Sequence, residues 1–242
     1  MKKILEILKR SSYPLVGALI IAIVFSACSK KDSGNQRTPT AGLMAFNLAA
    51  DKDAVGFTLS GNNLTTQPLG YTSYTGSYLP VYIGSREVKS YDFRLGTPMA
   101  TSTQTFADSL FYSLFAVGYN GSYKNIVVND SLRSLVATPG QAFVRYINAI
   151  ADSSASPVVT IASNDGNVVN NPAPFGSVSA FTKISAGNIV INVNNSDKIS
   201  ANRTIAVDEK KVYTILLVGN PAATDSTKKV QIKFIQNGTI TP

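Results

Sequence analysis

An internal repeat with an offset of 101 residues constrains the architecture of this chain more than any other feature. The segment "LMAFNLAAD" aligns with "VRYINAIAD", which places Asn47 on Asn148. The same offset later aligns "YSLFAVG" with "YTILLVG". Self-similarity at a fixed spacing indicates that one structural unit is used twice. We therefore expect two copies of one domain, joined at "ATPGQ" and spanning residues 42–138 and 139–242.

The residue pattern within each copy predicts β-strands. Short apolar runs rich in Val, Ile, Phe, Tyr and Thr alternate with turn signals such as "SGNN", "NDGN" and "NNPAP", which is typical of an all-β sandwich. Residues 110–118 and 212–219 are almost continuously apolar, as expected of central strands covered on both faces. Gly84 and Gly187 should occupy equivalent turns before a strand.

The only cysteine of the chain, Cys28, lies where an apolar run meets a polar segment. A basic start, the twelve-residue run "PLVGALIIAIVF" and the small pair "SA" precede it, in the order of a secretory signal. The run is shorter than the roughly 18 residues of a membrane-spanning helix. The pattern F-S-A-C resembles the bacterial lipobox, which implies cleavage after residue 27 and lipid on Cys28. An ordinary secretory signal with an incidental cysteine is the alternative.

Composition bounds the 215 residues from Cys28 to the C-terminus. Residues 28–41 have the polar, Gly- and Pro-containing composition of a flexible tether between the lipid and the folded part. No second cysteine exists to form an intrachain disulfide, so stability must come from the core. The basic residues are spread thinly instead of forming a cluster that could neutralise a row of phosphates. Nucleic acid is therefore not expected as a partner.

The order of motifs in the second copy resembles a known family. The segments "AFVRYINAIADSSASPVVTIAS", "PFGSVSAFTKISAGNIVINV" and "DEKKVYTILLVG" are similar to the bacterial domain-of-unknown-function family 4397. The resemblance implies a β-rich, immunoglobulin-like domain, often in tandem and often on exported lipoproteins of Bacteroidota. The first copy is more divergent. The shared positions are turn glycines and core residues, so the resemblance implies a fold and no reaction.

Catalytic and metal-binding residues are sparse. The chain has no histidine, which removes the usual proton shuttle and the commonest metal ligand. Asp51 with Asp53 and Asp208 with Glu209 are the closely spaced acidic pairs. Calcium would suit loop oxygens in "DKD" or "NDGN", but the same residues are ordinary in hairpin turns. We expect turns here, and therefore no enzyme, no cofactor and no metal site.

The tyrosines of "GYTSYTGSYLPVY" permit two interpretations. Clustered aromatic rings can form a platform for a sugar ring or a protein partner. The second copy has Phe175, Val178 and Phe181 in this segment, which favours core packing. Tyr112 and Tyr213, present in both copies, should be packing residues with a tethered hydroxyl. The candidate platform residues are Tyr71, Tyr74, Tyr78 and Tyr82.

Three serines match a short modification pattern, but Ser109 begins an expected buried strand. Exported proteins of Bacteroidota carry O-linked glycans at sites resembling Asp-Ser/Thr followed by an aliphatic residue or Thr. The segments "DSL" and "DST" match this pattern in expected loops. Ser131 and Ser226 are therefore the candidate glycosylation sites.

Together these features predict a non-catalytic, lipid-anchored envelope protein made of two tandem immunoglobulin-like β-sandwiches. Adhesion, scaffolding or recognition is the expected role, a carbohydrate- or polymer-binding surface module is the alternative, and an enzyme is a distant third. The expected partners are the membrane, through the lipid, and a protein or glycan of unknown identity. Ser29 and the charged "KKD" that follows favour the outer membrane, with the cell surface preferred over the periplasmic face.

Overall fold

Sixteen β-strands make up most of the part of the chain that the structure describes, residues 37–152 and 156–240 of a computed structural model. The candidate lipidation site Cys28 and most of the expected tether lie outside these residues. Among the described residues, no helix is long and apolar enough to cross a membrane. All sixteen strands belong to one compact unit, Pro39–Pro242.

Each repeat contributes eight strands. The strands of repeat 1 are β1 (Thr40–Ala49), β2 (Val55–Leu59), β3 (Asn62–Asn63), β4 (Leu79–Tyr82), β5 (Gly84–Asp92), β6 (Pro98–Phe106), β7 (Phe111–Tyr119) and β8 (Ser122–Asn129). The strands of repeat 2 are β9 (Gln141–Ile150), β10 (Val158–Ser163), β11 (Gly166–Pro172), β12 (Thr182–Ser185), β13 (Gly187–Asn194), β14 (Ser200–Val207), β15 (Lys211–Gly219) and β16 (Gln231–Thr239). The first four residues of the expected joint "ATPGQ" lie between β8 and β9, and its last residue, Gln141, begins β9.

Four four-stranded sheets form two sandwiches. Repeat 1 pairs the sheet β3-β2-β5-β6 with the sheet β4-β1-β7-β8, and repeat 2 pairs β11-β10-β13-β14 with β12-β9-β15-β16. The central pairs β1–β7 and β9–β15 are parallel, whereas all other strand pairs are antiparallel. Phe46 faces Phe115 in one central pair, and Ile147 faces Leu216 in the other. These registers differ by the same 101 residues as the sequence repeat, so the all-β tandem sandwich is confirmed.

Alternation along the central strands sends side chains into two different cores. In β1, Leu43 and Ala45 enter the core inside repeat 1, whereas Met44, Phe46 and Leu48 enter a second core shared with repeat 2. Strands β7 and β15 are buried along almost their whole length. Burial of each large apolar side chain contributes about 1.5–3 kcal/mol. The prediction that residues 110–118 and 212–219 form central strands covered on both faces is confirmed.

The repeated asparagines hold the segment that precedes β4 in repeat 1 and the segment that precedes β12 in repeat 2. Asn47 donates from its carboxamide to the carbonyl of Leu69 at 3.0 Å, and Asn148 donates to the carbonyl of Ala173 at 2.7 Å. Each side-chain oxygen accepts from the backbone N–H two residues further on. Buried polar groups are costly unless they are hydrogen-bonded. The repeat therefore preserves this asparagine because it satisfies buried backbone groups.

The tyrosines shared by the repeats also make equivalent contacts. The hydroxyl of Tyr112 accepts a hydrogen bond from the backbone N–H of Ala107 at 3.1 Å. The hydroxyl of Tyr213 accepts from the N–H of Asp208 at the same distance. Both rings are buried in the core of their own sandwich. The prediction of packing residues with tethered hydroxyls is confirmed.

Two of the repeated glycines close the ends of the central strands. Gly118 and Gly219 have φ angles of 134° and 113°, a region that residues with a Cβ rarely adopt. A Cβ at either position would lie 2.2 Å from a backbone oxygen, that of Ser122 or of Lys229. Only glycine fits where the last hairpin of each repeat crosses the end of its central strand.

Gly219→Ala and Gly187→Ala separate backbone strain from steric clash. Gly187 opens β13, as Gly84 opens β5, and its φ of 117° matches that of Gly219, but no atom lies within 4 Å of its Cβ position. Gly187→Ala should lower the free energy of unfolding by about 1–3 kcal/mol through backbone strain alone. Gly219→Ala should cost about 1–3 kcal/mol more because of the clash. Urea denaturation of both variants checks this, and equal losses would contradict it.

Candidate functional site

The two sandwiches meet face to face through one sheet of each repeat, β4-β1-β7-β8 and β12-β9-β15-β16. Buried side chains from β1, β7, β9, β15 and β16 form one apolar cluster at this contact, which we call the inter-repeat core. Its fully or nearly fully buried members are Met44, Phe46, Leu48, Phe115, Val117, Ile147, Ala149, Leu216, Val218 and Ile235. The contact is thus built from strands of both repeats and resembles the interior of a domain.

A buried arginine lies within this apolar face. Arg145, on β9, has only 2% of its side chain exposed. Its guanidinium donates to the Asp130 carboxylate at 2.7 Å, to the Ser113 hydroxyl at 2.7 Å and to the Thr214 hydroxyl at 3.0 Å. Asp130 and Ser113 belong to repeat 1, whereas Arg145 and Thr214 belong to repeat 2. The ion pair therefore links the repeats.

Further hydrogen bonds from neighbouring side chains surround the ion pair. Tyr78 donates a short hydrogen bond to Asp130, and Ser113 donates to the same carboxylate oxygen at 2.8 Å. Thr214 donates to the side-chain oxygen of Asn237 at 2.6 Å. Burial, together with the negative charge of Asp130, raises the pKa of Tyr78 far above its usual value. The phenol therefore remains a hydrogen-bond donor at neutral pH.

Aromatic rings cover the guanidinium of Arg145. Its central carbon lies 4.3 Å from the ring centroid of Phe181 and 5.8 Å from that of Phe115. A desolvated guanidinium over an aromatic face gains about 2 kcal/mol. A cavity of about 260 Å³ adjoins this point and includes Asp130, Ser131 and Phe181 in its lining. Its lining mixes polar and apolar side chains, and the two charged lining residues, Asp130 and Arg145, bind one another.

The ion pair makes the inter-repeat core asymmetric. The offset of 101 residues places Arg145 on Met44, which lies in the same core in repeat 1. A sequence signal was present: apart from Asn148, Arg145 is the only strongly polar residue of the segment "AFVRYINAI", and a charge buried in such a strand must find a partner. Its partner Asp130, in contrast, follows β8 in a polar segment and gave no such signal.

The tyrosine-containing loop of repeat 1 has a direct counterpart in repeat 2. The backbone carbonyl of Asn47 accepts a hydrogen bond from the N–H of Thr72 at 2.8 Å. In repeat 2, the backbone carbonyl of Asn148 accepts from the N–H of Gly176 at 2.7 Å. Thr72 and Gly176 both have positive φ angles. Each loop also reaches the other repeat, because Lys233 donates to the Thr72 hydroxyl at 2.9 Å while Gly176 lies against the side chain of Ile126.

The structure separates the four candidate platform tyrosines. Tyr71, Tyr74 and Tyr78 are half-buried and pack against the inter-repeat core. Tyr74 stacks on Phe46 with 5.5 Å between ring centroids, and burial raises the pKa of Tyr71 well above its usual value. Tyr82, in contrast, is 65% exposed and lines a different surface. The first three tyrosines share one environment, and Tyr82 does not belong to it.

The remaining candidate residues lie at separate places. Ser131 is exposed directly after β8, with a φ of 47°. Ser226 is exposed at the start of a 3-10 helix, Ser226–Lys228. The two serines thus lie in different loops, and their glycosylation stays a prediction.

The acidic residues weighed as catalytic or calcium-binding groups make scaffold contacts. Asp51 accepts from the Tyr123 hydroxyl at 2.7 Å, and Asp53 pairs with Lys228 of repeat 2 at 2.5 Å. Glu209 accepts from the backbone N–H of Gly140 at 2.9 Å. Within residues 37–152 and 156–240, no group of three or more Asp, Glu, His or Cys side chains is placed to hold a metal ion.

Comparison with known proteins identifies the domain family. Residues 41–159 match the family model described as "Domain of unknown function (DUF4397)". Residues 41–159 carry a DUF4397 domain. The match covers repeat 1 and continues through β9 to Val159 in β10, so it confirms the resemblance noted in the sequence. Of the repeat 2 segments that showed that resemblance, only the first part lies inside the match.

Two solved structures are similar to this chain at very low sequence identity. A proposed cell adhesion protein from Bacteroides ovatus is 8% identical, with a TM-score of 0.25 over 84% of this chain and 98% of its own. A proposed cell adhesion protein from Parabacteroides distasonis is 6% identical, with a TM-score of 0.21 over 85% of this chain and 99% of its own. TM-scores this low carry no argument about function. No curated protein matches the chain.

Replacing Arg145 by the residue found in repeat 1 tests the network. Arg145→Met should lower the free energy of unfolding by about 3–5 kcal/mol because Asp130 is left buried without its partner. Adding Asp130→Asn should recover part of this loss, since the unpaired charge is removed. Arg203→Met is the matched control, because that guanidinium also covers a ring, that of Phe234, but belongs to an exposed residue. Chemical denaturation measures the free energy of unfolding of the native protein and of these three variants.

A second ion pair in repeat 1 joins the loop between β1 and β2 to the end of β5. Lys52 donates to Asp92 at 3.0 Å, and the other carboxylate oxygen of Asp92 accepts from the backbone N–H groups of Arg94 and Leu95. The hydrogen bond from Lys52, opposed in part by burial, lowers the pKa of Asp92 below its usual range. The same bond raises the pKa of Lys52. The pair is thus charged throughout the neutral range.

Acid titration of stability should reveal this pair. Because the folded-state pKa of Asp92 lies below its unfolded value, its stabilising contribution is present above about pH 4 and is lost as the pH falls through the folded pKa. Lys52→Met should therefore reduce the loss of stability between about pH 4 and pH 2. Lys89→Met, which breaks a more exposed pair with Glu87 at 3.8 Å, is the control. An unchanged acid slope in Lys52→Met would contradict the assignment.

Proposed function

We propose that this DUF4397 protein is a non-catalytic, lipid-anchored component of the bacterial cell envelope that acts in adhesion, scaffolding or recognition. The observation that carries the proposal is the inter-repeat core with its buried Arg145–Asp130 pair. This contact joins the sheets that contain β1 and β9. The other sheet of each repeat, β3-β2-β5-β6 or β11-β10-β13-β14, and the loops are left facing solvent. Binding residues are commonly presented from loops and edges of such a scaffold.

A non-catalytic role is supported by what the candidate catalytic groups do. Asp51 and Asp53, the closest acidic pair of repeat 1, are engaged by Tyr123 and Lys228 respectively. The buried Asp130 and Arg145 are engaged by one another and by hydroxyl groups of the scaffold. General acids and bases need access to a reacting group, whereas these side chains serve contacts between strands and between repeats.

The membrane attachment is inferred from the N-terminal sequence. Cys28 follows the charged, apolar and small-residue order of an exported lipoprotein. Two or three acyl chains would hold the protein on a bilayer, since each buried methylene contributes about 0.8 kcal/mol. Lys30 and Lys31 lie close to the anchor and gain about 1 kcal/mol each near anionic lipids. We place the protein on the outer membrane and favour the cell surface.

Cys28→Ser should abolish lipid modification. The chain contains no second thiol that could accept a diacylglyceryl group. Cells expressing the wild-type protein or the variant are fed an alkyne fatty acid, and the immunoprecipitated protein is coupled to a fluorophore. Only the wild-type band should fluoresce, and the variant should retain a precursor-sized or soluble form. Label that persists on the variant would refute the lipobox assignment.

Protease treatment of intact cells tests the location of the folded repeats. Digestion of both repeats, with a periplasmic control protein left intact, would support the cell surface. Protection of the repeats while a known surface protein is cleaved would favour the periplasmic face. Recovery in the inner-membrane fraction would overturn the outer-membrane assignment.

Binding to immobilised protein tests the recognition role. The chain from Cys28 to the C-terminus, carrying Cys28→Ser, is attached to beads. Beads carrying this protein should retain an envelope or host component. Mild denaturant should release this component from beads carrying Arg145→Met before beads carrying the native sequence, because the less stable variant unfolds first. Equal release from the two kinds of bead, or equal retention by uncoated beads, would contradict recognition by the folded sandwiches.

A further inference from the structure

A groove opens on repeat 1, away from the inter-repeat core. It lies between the edge strand β4 and the β2–β3 hairpin, at the side of the sandwich where the two sheets of repeat 1 separate. Its volume is about 240 Å³, slightly below the range of pockets that hold drug-sized molecules. Tyr82, Arg86, Asn62, Asn63 and Leu64 are among its lining residues.

An exposed aromatic ring forms one wall of the groove. Tyr82 is the last residue of β4 and is 65% exposed, more than any other tyrosine in the described part of the chain. The guanidinium of Arg86 lies 6.0 Å from the centroid of this ring and donates to the carbonyl of Ile83 at 2.9 Å. These contacts hold the ring and the guanidinium together while most of the ring surface remains in water.

Amide groups and an apolar side chain complete the lining. Asn62 and Asn63 form the two-residue strand β3 and are both exposed. A carboxamide carries two donor hydrogens and one acceptor oxygen, so this pair can satisfy hydroxyl groups of either polarity. Leu64 is half-buried below them. A flat apolar surface beside amide and guanidinium groups matches a sugar ring, which has C–H groups on its faces and hydroxyls at its edge.

Repeat 2 provides an internal comparison at the same position. Tyr82 faces Thr40 in the sheet, and Ser185 faces Gln141, which is 101 residues further along the chain. Ser185 donates a short hydrogen bond to Asp165 in the β10–β11 turn, which ties this edge to the hairpin. The third residue of β5 is Arg86, whereas the third residue of β13 is Ile189, which is fully buried. The aromatic groove is therefore a feature of repeat 1 alone.

The backbone at this edge disfavours an extended peptide as the occupant. Pro80 on β4 faces Gly42 on β1, and the N–H of Gly42 donates toward β7, to Leu110. In an antiparallel pair this places the nitrogen of Pro80 on the outer edge of the sheet. Proline has no N–H to offer a further strand. A protein partner would also need about 800 Å² of surface per side, far more than one exposed ring supplies.

We propose that this groove binds a pyranose ring of a glycan, with Tyr82 as the stacking platform and Asn62, Asn63 and Arg86 as hydrogen-bonding groups. The inference deepens the proposed recognition function and rests on it. It assigns recognition to repeat 1 and to Tyr82 alone among the four candidate platform tyrosines.

Tyr82→Trp provides a selective probe, because the chain contains no tryptophan. The variant is made in the chain from Cys28 to the C-terminus with Cys28→Ser, and is titrated with cellotetraose, maltotetraose, mannotetraose and trigalacturonate. At least one sugar should shift or quench the indole emission saturably below about 10 mM. No change with any of the four sugars would overturn the proposal.

Variants in the otherwise native sequence locate the site. Saturation-transfer NMR with the sugar found above should show at least tenfold weaker binding for Tyr82→Ala and near-native binding for Tyr82→Phe. Tyr119→Ala, which removes another exposed tyrosine, should bind normally. Undiminished binding by Tyr82→Ala would overturn the site. Capture of a protein partner by a chain that binds no sugar would contradict the glycan proposal while leaving the proposed recognition function intact.

Discussion

The Arg145–Asp130 pair is buried in the face that joins the two repeats, and the arrangement of the sandwiches depends on it. Removing two charges from water costs several kcal/mol per ion, and the cost is offset only when geometry and hydrogen bonding are nearly complete. Here Ser113, Tyr78 and Thr214 supply the additional partners. A shift of one sheet against the other would leave these groups unpaired in a low dielectric. The network thus selects one register among the many that an apolar face alone would allow.

The apolar part of the same face explains why the domain occurs twice. In each repeat, the central strands alternate between the core of their own sandwich and the inter-repeat core. A single repeat would expose a contiguous patch that includes Phe46 and Phe115, and patches of this kind promote association. Pairing two copies covers both patches at once. The asymmetric placement of Arg145 opposite Asp130 then favours the contact between repeat 1 and repeat 2 over a contact between two identical repeats.

Much of this fold could be predicted from the sequence because the repeat carries redundant information. The 101-residue offset predicted that β1 and β9, and β7 and β15, would be equivalent, and the pairing registers follow that offset. The apolar pattern indicated that both faces of the central strands are buried. It did not indicate that one of these faces packs against the other repeat. The tyrosines could not be assigned by spacing alone. The turn at Thr72 directs the first three toward the inter-repeat core, whereas strand alternation in β4 exposes Tyr82.

Comparison of the two repeats distinguishes residues needed for the common fold from residues that serve assembly or recognition. Positions that remain matched, such as Asn47 with Asn148, satisfy buried backbone groups of the common fold. One mismatch, Met44 with Arg145, lies in the inter-repeat core and serves assembly. Another, Tyr82 with Ser185, lies at a solvent-facing edge: in repeat 2 the edge is closed by a hydrogen bond to Asp165, whereas in repeat 1 a ring faces solvent. A side chain that stays in water contributes little hydrophobic free energy to folding. In the glycan proposal, a sugar ring stacked on Tyr82 covers this surface, which assigns the mismatch at this edge to recognition.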